Sequence, residues 1–289
     1  MDKIYDIIII GAGPAGITAG IYAVRAGIDV LVLDNGESSL EKARVVENYY
    51  GFDKISGKEL KQKGINQYVN LGGQFKEEEV LSLEKDYKND LFIIETLKMR
   101  YNARALILAT GTATKKTPKV FESNDYENVS YCAVCDGFLY RGKDVVVVGN
   151  GAFAKKECEY LKNIAKTVYL ITDGQPLSVK IDKDIKIIDK KIVSVVGQNK
   201  VDFICLEDDS KLKADCVFIA QGSLSSFGIA KKLGLFVENN SIVVENYQTN
   251  IDGVFAAGDI VGGLLQISKA VSDGAQAGLN AVKYLKKKD

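Results

Sequence analysis

The chain has 289 residues, is 46% apolar and 26% charged, balances 38 Lys+Arg against 38 Asp+Glu, and contains neither histidine nor tryptophan. Without imidazole, Ser-His-Asp triads, Cys-His proteases, His-liganded zinc and His-ligated haem are excluded, so proton transfer falls to carboxylate, thiol, Lys, Tyr or water. The charge balance argues against a global attraction to nucleic acid or acidic membrane, and the length suits two packed domains.

Ile7 to Ile10 reads as a fully buried strand, because four β-branched residues without alternation suit a parallel sheet covered on both faces. The run is too short for a signal segment or a membrane span, which gives the expectation of a soluble, cytoplasmic protein. Gly11-Ala-Gly13-Pro-Ala-Gly16 follows, then a helix over Ile17 to Ala26 and a second strand over Val30 to Leu33 with Asp34 at its end. This is one complete βαβ unit. Ala105 to Gly111 reads as another buried strand ending in glycine.

The βαβ pattern recurs at Val145 to Val148, Gly149-Asn-Gly151-Ala-Phe-Ala154, a helix to about Asn163 and a strand over Val168 to Ile171. Val201 to Leu206 and Leu212 to Ala220 are predicted as the arms of a hairpin. Gly253 to Asp259, a glycine-rich turn and a helix from about Gln266 to Leu285 supply the strand and helix that the first lobe otherwise lacks. The predicted fold class is therefore α/β, with two Rossmann-like doubly wound nucleotide-binding domains, the second inserted into the first. The expected boundaries are 1–112 with 245–289, and 113–244 as the insertion.

Each glycine of the first fingerprint has a mechanical reason: Gly11 for a tight turn, Gly13 for close approach of backbone to pyrophosphate, Gly16 for helix-to-strand packing. Asp34 stands where ribose hydroxyls would be bound. The second fingerprint ends differently, because Thr172-Asp173-Gly174-Gln175 offers no cation for an adenosine 2′-phosphate and Asp173 would repel one. Three readings stay open there: no pyridine nucleotide, NADH held through Asp173, or NADPH.

Tyr131-Cys132-Ala-Val-Cys135-Asp136-Gly137 is the sharpest chemical signal. Two cysteines spaced by two residues form either a reactive dithiol or half of a zinc site. Cys158, Cys205 and Cys216 form no second pair of ligand spacing, so the redox dithiol is preferred and no metal is expected. Asp136 is placed to move the proton that thiol-disulfide exchange requires. The three remaining cysteines read as buried thiols, with a Cys205–Cys216 bridge across the predicted hairpin as the alternative.

Taken together, Gly11 to Gly16, Val46-Glu-Asn48-Tyr-Tyr-Gly-Phe52, Ala109-Thr-Gly111, Val129 to Phe138, Gly149 to Ala154 and Gly253 to Asp259 resemble the low-molecular-weight thioredoxin reductases along nearly the whole chain. The resemblance implies FAD near Gly11, Gly13, Pro14, Ala15, Gly16, Asp34, Asn48, Thr110, Gly111, Gly258, Asp259 and Gln266, and a homodimer. It implies that Cys135 meets the flavin, Cys132 attacks the disulfide of a thioredoxin or thioredoxin-like protein, and Asp136 is the acid. The departures concern the nucleotide: the family's His-Arg-Arg run is replaced by Thr172-Asp173-Gly174, its Gly-Gly-Gln-Leu run by Gly36 to Lys42, and an Arg before Gln266 by Leu265. They resemble the ferredoxin-dependent flavin thioredoxin reductases, which do without pyridine nucleotide. Ferredoxin is acidic, so a basic docking face is expected among Arg44, Lys115, Lys116, Lys119, Lys283 and Lys286 to Lys288. The rival readings are an NADH- or NADPH-dependent thioredoxin reductase-like enzyme and a flavin-binding redox sensor that does not turn over.

Overall fold

The computed structural model describes residues 3–36, 38–111, 118–121, 126–221 and 226–288. The chain divides into two compact units, residues 1–113 with 233–289, and residues 114–232. The first unit begins with β1 (Ile4–Ile10), α1 (Pro14–Arg25), β2 (Val30–Asp34), α2 (Gly57–Asn70), β3 (Gln74–Glu77), β4 (Val80–Asp86), β5 (Leu91–Thr96) and β6 (Arg100–Leu108). The second holds β7 (Val129–Ser130), α3 (Ala133–Asp136), β8 (Asp144–Val148), α4 (Ala152–Leu161), β9 (Thr167–Ile171), β10 (Lys186–Ile188), β11 (Ile192–Val196), β12 (Phe203–Leu206), β13 (Lys211–Lys213), β14 (Cys216–Ile219) and most of α5 (Ser226–Leu233). The chain then returns to the first unit through β15 (Val237–Glu238), β16 (Ser241–Ile242), β17 (Val254–Ala256) and α6 (Ile267–Lys288).

In the first unit the strands run in the order β3-β2-β1-β6-β5-β4, and β17 also pairs with β6. The long β6 serves two neighbours on one side: its residues 100–103 pair antiparallel with β5 and its residues 106–108 pair parallel with β17. Ile7, Ile8 and Ile9 are completely buried, as the unbroken β-branched run predicts. Helices α1 and α6 lie close together because small residues face one another. A Cβ on Gly274 would fall 2.1 Å from the Ala15 carbonyl oxygen, and one on Gly278 would fall 2.6 Å from that of Ala19. Larger side chains would force the helices apart and open the core beneath them.

In the second unit a parallel sheet, β10-β9-β8-β14-β7, carries the repeated βαβ pattern, and β11-β12-β13 form a separate antiparallel sheet. Two expectations are corrected here. Leu212 to Ala220 is not one hairpin arm: β13 stays with β12, the chain breaks at Ala214–Asp215, and β14 joins the parallel sheet. Asp215 makes that crossing by accepting the Asp144 N–H at 2.9 Å. Cys205 and Cys216 consequently lie in different sheets, and both are free thiols.

The second correction concerns residues 233–244, expected in the insertion but found in the first unit. Asn250 holds them there, accepting the Phe236 N–H and donating to the Gly234 carbonyl, each at 2.9 Å.

Candidate active site

The carboxyl ends of β1, β2, β6 and β17 meet at one edge of the first sheet, where open α/β sheets bind their ligands. Gly11, Gly13, Pro14, Ala15, Gly16, Asp34, Thr110, Gly111, Gly258 and Asp259 all follow or end these strands. A Cβ on Gly11 would stand 2.3 Å from the Ala109 carbonyl oxygen, and one on Gly16 would stand 1.9 Å from that of Gly11. Both glycines are therefore required by the fold itself. Gly13 differs, because a Cβ there would meet nothing within 4 Å. It precedes α1, whose first turn opens with Pro14 and has no side-chain cap. An uncapped helix start behind an open glycine is the cradle a pyrophosphate needs, so these residues fit the FAD that the resemblance implies.

On the far side of the cradle, Gly258 follows β17 with φ +83° and lies against Ala15, where a Cβ would come within 2.9 Å of the Ala15 Cβ. Asp273 on α6 accepts the Gly258 N–H, and Lys269 donates to the Gly258 and Gly262 carbonyls. Burial, reinforced by Asp273 and opposed by Lys269, pushes the Asp259 carboxyl above the usual carboxylate range. Asn48 and Gln266, 218 residues apart, are joined by a 2.9 Å hydrogen bond between their side chains. Every residue expected near FAD thus falls in the first unit.

Asp34 is more heavily engaged than a free ribose acceptor would be. Its Oδ1 accepts the Ala12 N–H at 2.9 Å, and its Oδ2 accepts from the Gly36 N–H and from Lys61 Nζ. Lys61 also donates to Glu41 at 3.1 Å. Both Lys61 and Asp34 are buried, at 8% and 5% exposure. Burial would lower the Lys61 pKa, but the Asp34 and Glu41 carboxylates outweigh it and hold the ammonium above its ordinary value. The short turn that replaces the family's glycine run is therefore tied to Asp34 through Lys61. Nothing in the sequence links Lys61 to Asp34, 27 positions before it.

The second glycine turn is closed by its own chain. Gly149 and Ala220 approach as Gly11 and Ala109 do, with 2.3 Å from a Cβ to the carbonyl oxygen in each case. Here, however, Ser178 donates both its N–H and its hydroxyl to the Asn150 carbonyl, at 3.0 and 3.3 Å. The Asn150 amide reaches the Pro176 carbonyl, and the place of a Cβ on Gly151 lies 3.5 Å from Ser178 Oγ. Asp173, the residue that could have met a ribose, instead accepts the Ile192 N–H at 2.8 Å and clips the end of β9 to β11.

Cys132 and Cys135 form a disulfide just beyond β7, at the same edge of the second sheet as the closed turn. Cys132 is fully buried and Cys135 half-buried. The expected attacking sulfur is thus the less accessible one in this oxidised form. Cys135 N–H points at Cys132 Sγ at 3.2 Å, a contact that would stabilise a thiolate there. Asp136 accepts the Ser130 hydroxyl at 2.6 Å and pairs with Lys231. Cys158 and Cys216 are buried thiols whose pKa values burial pushes up, that of Cys216 to about 12, which marks them as inert.

Two groups beside the disulfide were not read from the sequence. Glu157 on α4 accepts the Ala133 N–H, and its other oxygen lies 3.7 Å from Lys232 on α5. A carboxylate and a lysine 75 positions apart carry no sequence signal that links them.

Comparison with known proteins places the chain. Residues 5–274 match the pyridine nucleotide-disulphide oxidoreductase family. A thioredoxin reductase of Listeria innocua is 35% identical, over 98% of this chain and 95% of its own. The atypical thioredoxin reductase TRi from Desulfovibrio vulgaris Hildenborough superposes with a TM-score of 0.89 at 37% identity, covering 98% of both chains. A ferredoxin-flavin thioredoxin reductase from Clostridium acetobutylicum gives a TM-score of 0.73 at 34% identity, over 99% of this chain and 100% of the other. The chain belongs to the pyridine nucleotide-disulphide oxidoreductase family and, within it, is an FAD-dependent disulfide reductase of the thioredoxin reductase type.

Proposed function

We propose that the chain receives single electrons from reduced ferredoxin and passes them in pairs, through Cys132 and Cys135, to the disulfide of a thioredoxin or thioredoxin-like protein. The observation that carries the choice of donor is the closed second turn: Ser178 and Pro176 hold Asn150, and Asp173 is spent on Ile192. The absence of a 2′-phosphate cation in Thr172-Asp173-Gly174 supports it, as does the likeness to a ferredoxin-flavin enzyme.

Gly11, Gly13, Pro14, Ala15, Gly16, Asp34, Asn48, Thr110, Gly111, Gly258, Asp259 and Gln266 would hold the FAD, which when bound supplies the conversion between one-electron and two-electron transfer. The protein's own chemistry is thiol-disulfide exchange. Cys132 thiolate attacks one sulfur of the target, the target S–S bond breaks, and a mixed disulfide forms. Asp136, held by Ser130 and Lys231, takes up the proton of the attacking thiol and returns it to the departing sulfur. Cys135 then gives up its proton and attacks Cys132 Sγ as the thiolate, restoring the internal disulfide and releasing the second target sulfur, which takes up that proton as a thiol. Two electrons and two protons leave the dithiol for the target. Because Cys132 is buried when oxidised, it must be uncovered before exchange.

An acidic ferredoxin would dock on exposed cations. Arg44, Lys119, Lys283, Lys286 and Lys287 are exposed, whereas Lys288 is paired with Asp90 and Asp252. Lys115 and Lys116 lie outside the described residues. The reading includes a homodimer, as the family resemblance implies, working in the cytoplasm; no helix among the described residues is long and apolar enough to cross a membrane.

The test is anaerobic mixing of the FAD-loaded protein with NADPH, NADH or reduced ferredoxin while flavin absorbance is followed. Bleaching by ferredoxin alone is expected. Rapid bleaching by either pyridine nucleotide at micromolar concentration would overturn the choice of donor.

A further inference from the structure

Adjacent lysines of α5 go to two acids at the redox turn, Asp136 within it and Glu157 on α4 against it. Lys231, half-exposed, pairs with Asp136, while Lys232 pairs with Glu157 in the interior. The Lys232 and Glu157 side chains are only 4% and 2% exposed. A buried ion pair is an expensive way to join two helices, since apolar residues of similar size generally do so at no loss of stability. What the charged pair supplies is electrostatics at a particular place. Glu157 Oε2 accepts the N–H of Ala133, the residue that follows Cys132, so its carboxylate is bonded to the peptide group that joins Cys132 to Ala133.

We propose that Glu157 and Lys232 form a charge-balanced pair that sets the ionisation of Cys132 once the disulfide is open. Glu157 is a positioning residue: it fixes Ala133 N–H and thereby the backbone on which both cysteines sit. Its negative charge alone would hold the proton on Cys132, because a like charge at this range disfavours the thiolate. Lys232 cancels that field, so the thiolate of Cys132 is no longer disfavoured by the carboxylate. Burial pushes the Glu157 carboxyl above its usual range, and Lys232 with the Ala133 N–H opposes the push. The inference rests on the reading that Cys132 is the exchanging thiol.

Other ionisable groups flank the turn, among them Tyr131 before Cys132 and Tyr160 against Gly137. Asp136 is held by Ser130 and Lys231, and Tyr140 is hydrogen-bonded to Cys216. On α4, Lys156 and Cys158 flank Glu157 and interact with it electrostatically. In the exchange, the proton lost from Cys132 frees the electron pair that forms the mixed disulfide, and the target's departing sulfur is protonated in return. The pair biases that first loss and adds no further reactant.

The test uses the FAD-loaded Cys135→Ser protein, in which Cys132 is a free thiol. Its alkylation by iodoacetamide is followed against pH by mass spectrometry of the Cys132 peptide. Lys232→Met is expected to raise the Cys132 pKa by about one unit, slowing alkylation about tenfold at neutral pH. Glu157→Gln keeps an oxygen for Ala133 N–H and is expected to lower the pKa, speeding alkylation severalfold. The double variant is expected to return towards the parent. Shifts of opposite sign are not produced by a merely structural role. Both variants within twofold of the parent, or both shifted the same way, would overturn the proposal; if Lys232→Met does not fold, the sign of the Glu157→Gln shift alone decides it. Turnover retained by Cys132→Ser would overturn the exchange reading itself, a separate result from an unshifted pKa in a protein that needs Cys132.

Discussion

Replacing Lys61 with Met removes the ammonium that joins Asp34 to Glu41 and leaves two carboxylates behind, one of them buried. Losing one partner of a buried pair typically costs about 3 to 5 kcal/mol. Asp34 keeps the N–H groups of Ala12 and Gly36, at 2.9 and 3.2 Å, so part of its charge stays compensated. The expected loss is therefore about 2 to 4 kcal/mol, a large share of the ~5–15 kcal/mol that holds a domain folded. Lys61 has a folded pKa above its unfolded value, so its contribution is fully present below the unfolded lysine pKa of about 10.4 and fades as pH rises through the folded one. The loss caused by Lys61→Met should accordingly be level from about pH 6 to 9. Urea unfolding of wild type, Lys61→Met, Asp34→Asn and the double variant measures the coupling directly. A coupling below about 0.5 kcal/mol, the level of a surface pair, would refute the reasoning.

Further predictions follow from the same geometry. Gly16→Ala should destabilise the protein by at least about 3 kcal/mol with or without flavin, since its methyl would overlap the Gly11 carbonyl at 1.9 Å. Gly13→Ala, whose methyl meets only the open cradle, should leave urea unfolding of the flavin-free protein within about 1 kcal/mol of wild type yet weaken FAD binding at least about tenfold, as read by flavin fluorescence. Equal effects of the two substitutions would contradict the division of labour drawn between these glycines. Tyr68→Phe removes a fully buried hydroxyl that donates to the Val30 carbonyl at 2.8 Å, and should cost about 1 to 2 kcal/mol in thermal or urea unfolding. Cys132→Ser should keep its flavin spectrum while thioredoxin reduction falls to background; undiminished turnover would remove Cys132 from the mechanism.

The two βαβ units were legible because local signals agreed: consecutive β-branched residues, glycines at fixed spacing and a helix start in the right place. The disulfide partners were legible as a close pair for the same reason. What was not legible depends on contacts between distant positions. Leu212 to Ala220 has the composition of one strand, and only the Asp215 contact to Asp144 across the second unit reveals where it changes sheet. Residues 233–244 gave no sign that Asn250 would capture them. Asp34 was read by its place after a strand, but Lys61, 27 positions on, decides how its second oxygen is used. Ser178 likewise looked like an ordinary loop residue, yet it closes the turn on which the choice of electron donor rests.

The proposed electron route runs from a one-electron donor through Cys132 and Cys135 to a protein disulfide. Its most direct measurement is an anaerobic assay with catalytic amounts of the FAD-loaded protein, reduced ferredoxin and oxidised thioredoxin, counting ferredoxin oxidised against thioredoxin thiols formed. One thiol formed for each ferredoxin oxidised is expected, with no turnover by the Cys135→Ser variant and none when NADPH replaces ferredoxin. Thiols formed as fast from NADPH, or ferredoxin oxidised without thiols appearing, would contradict it.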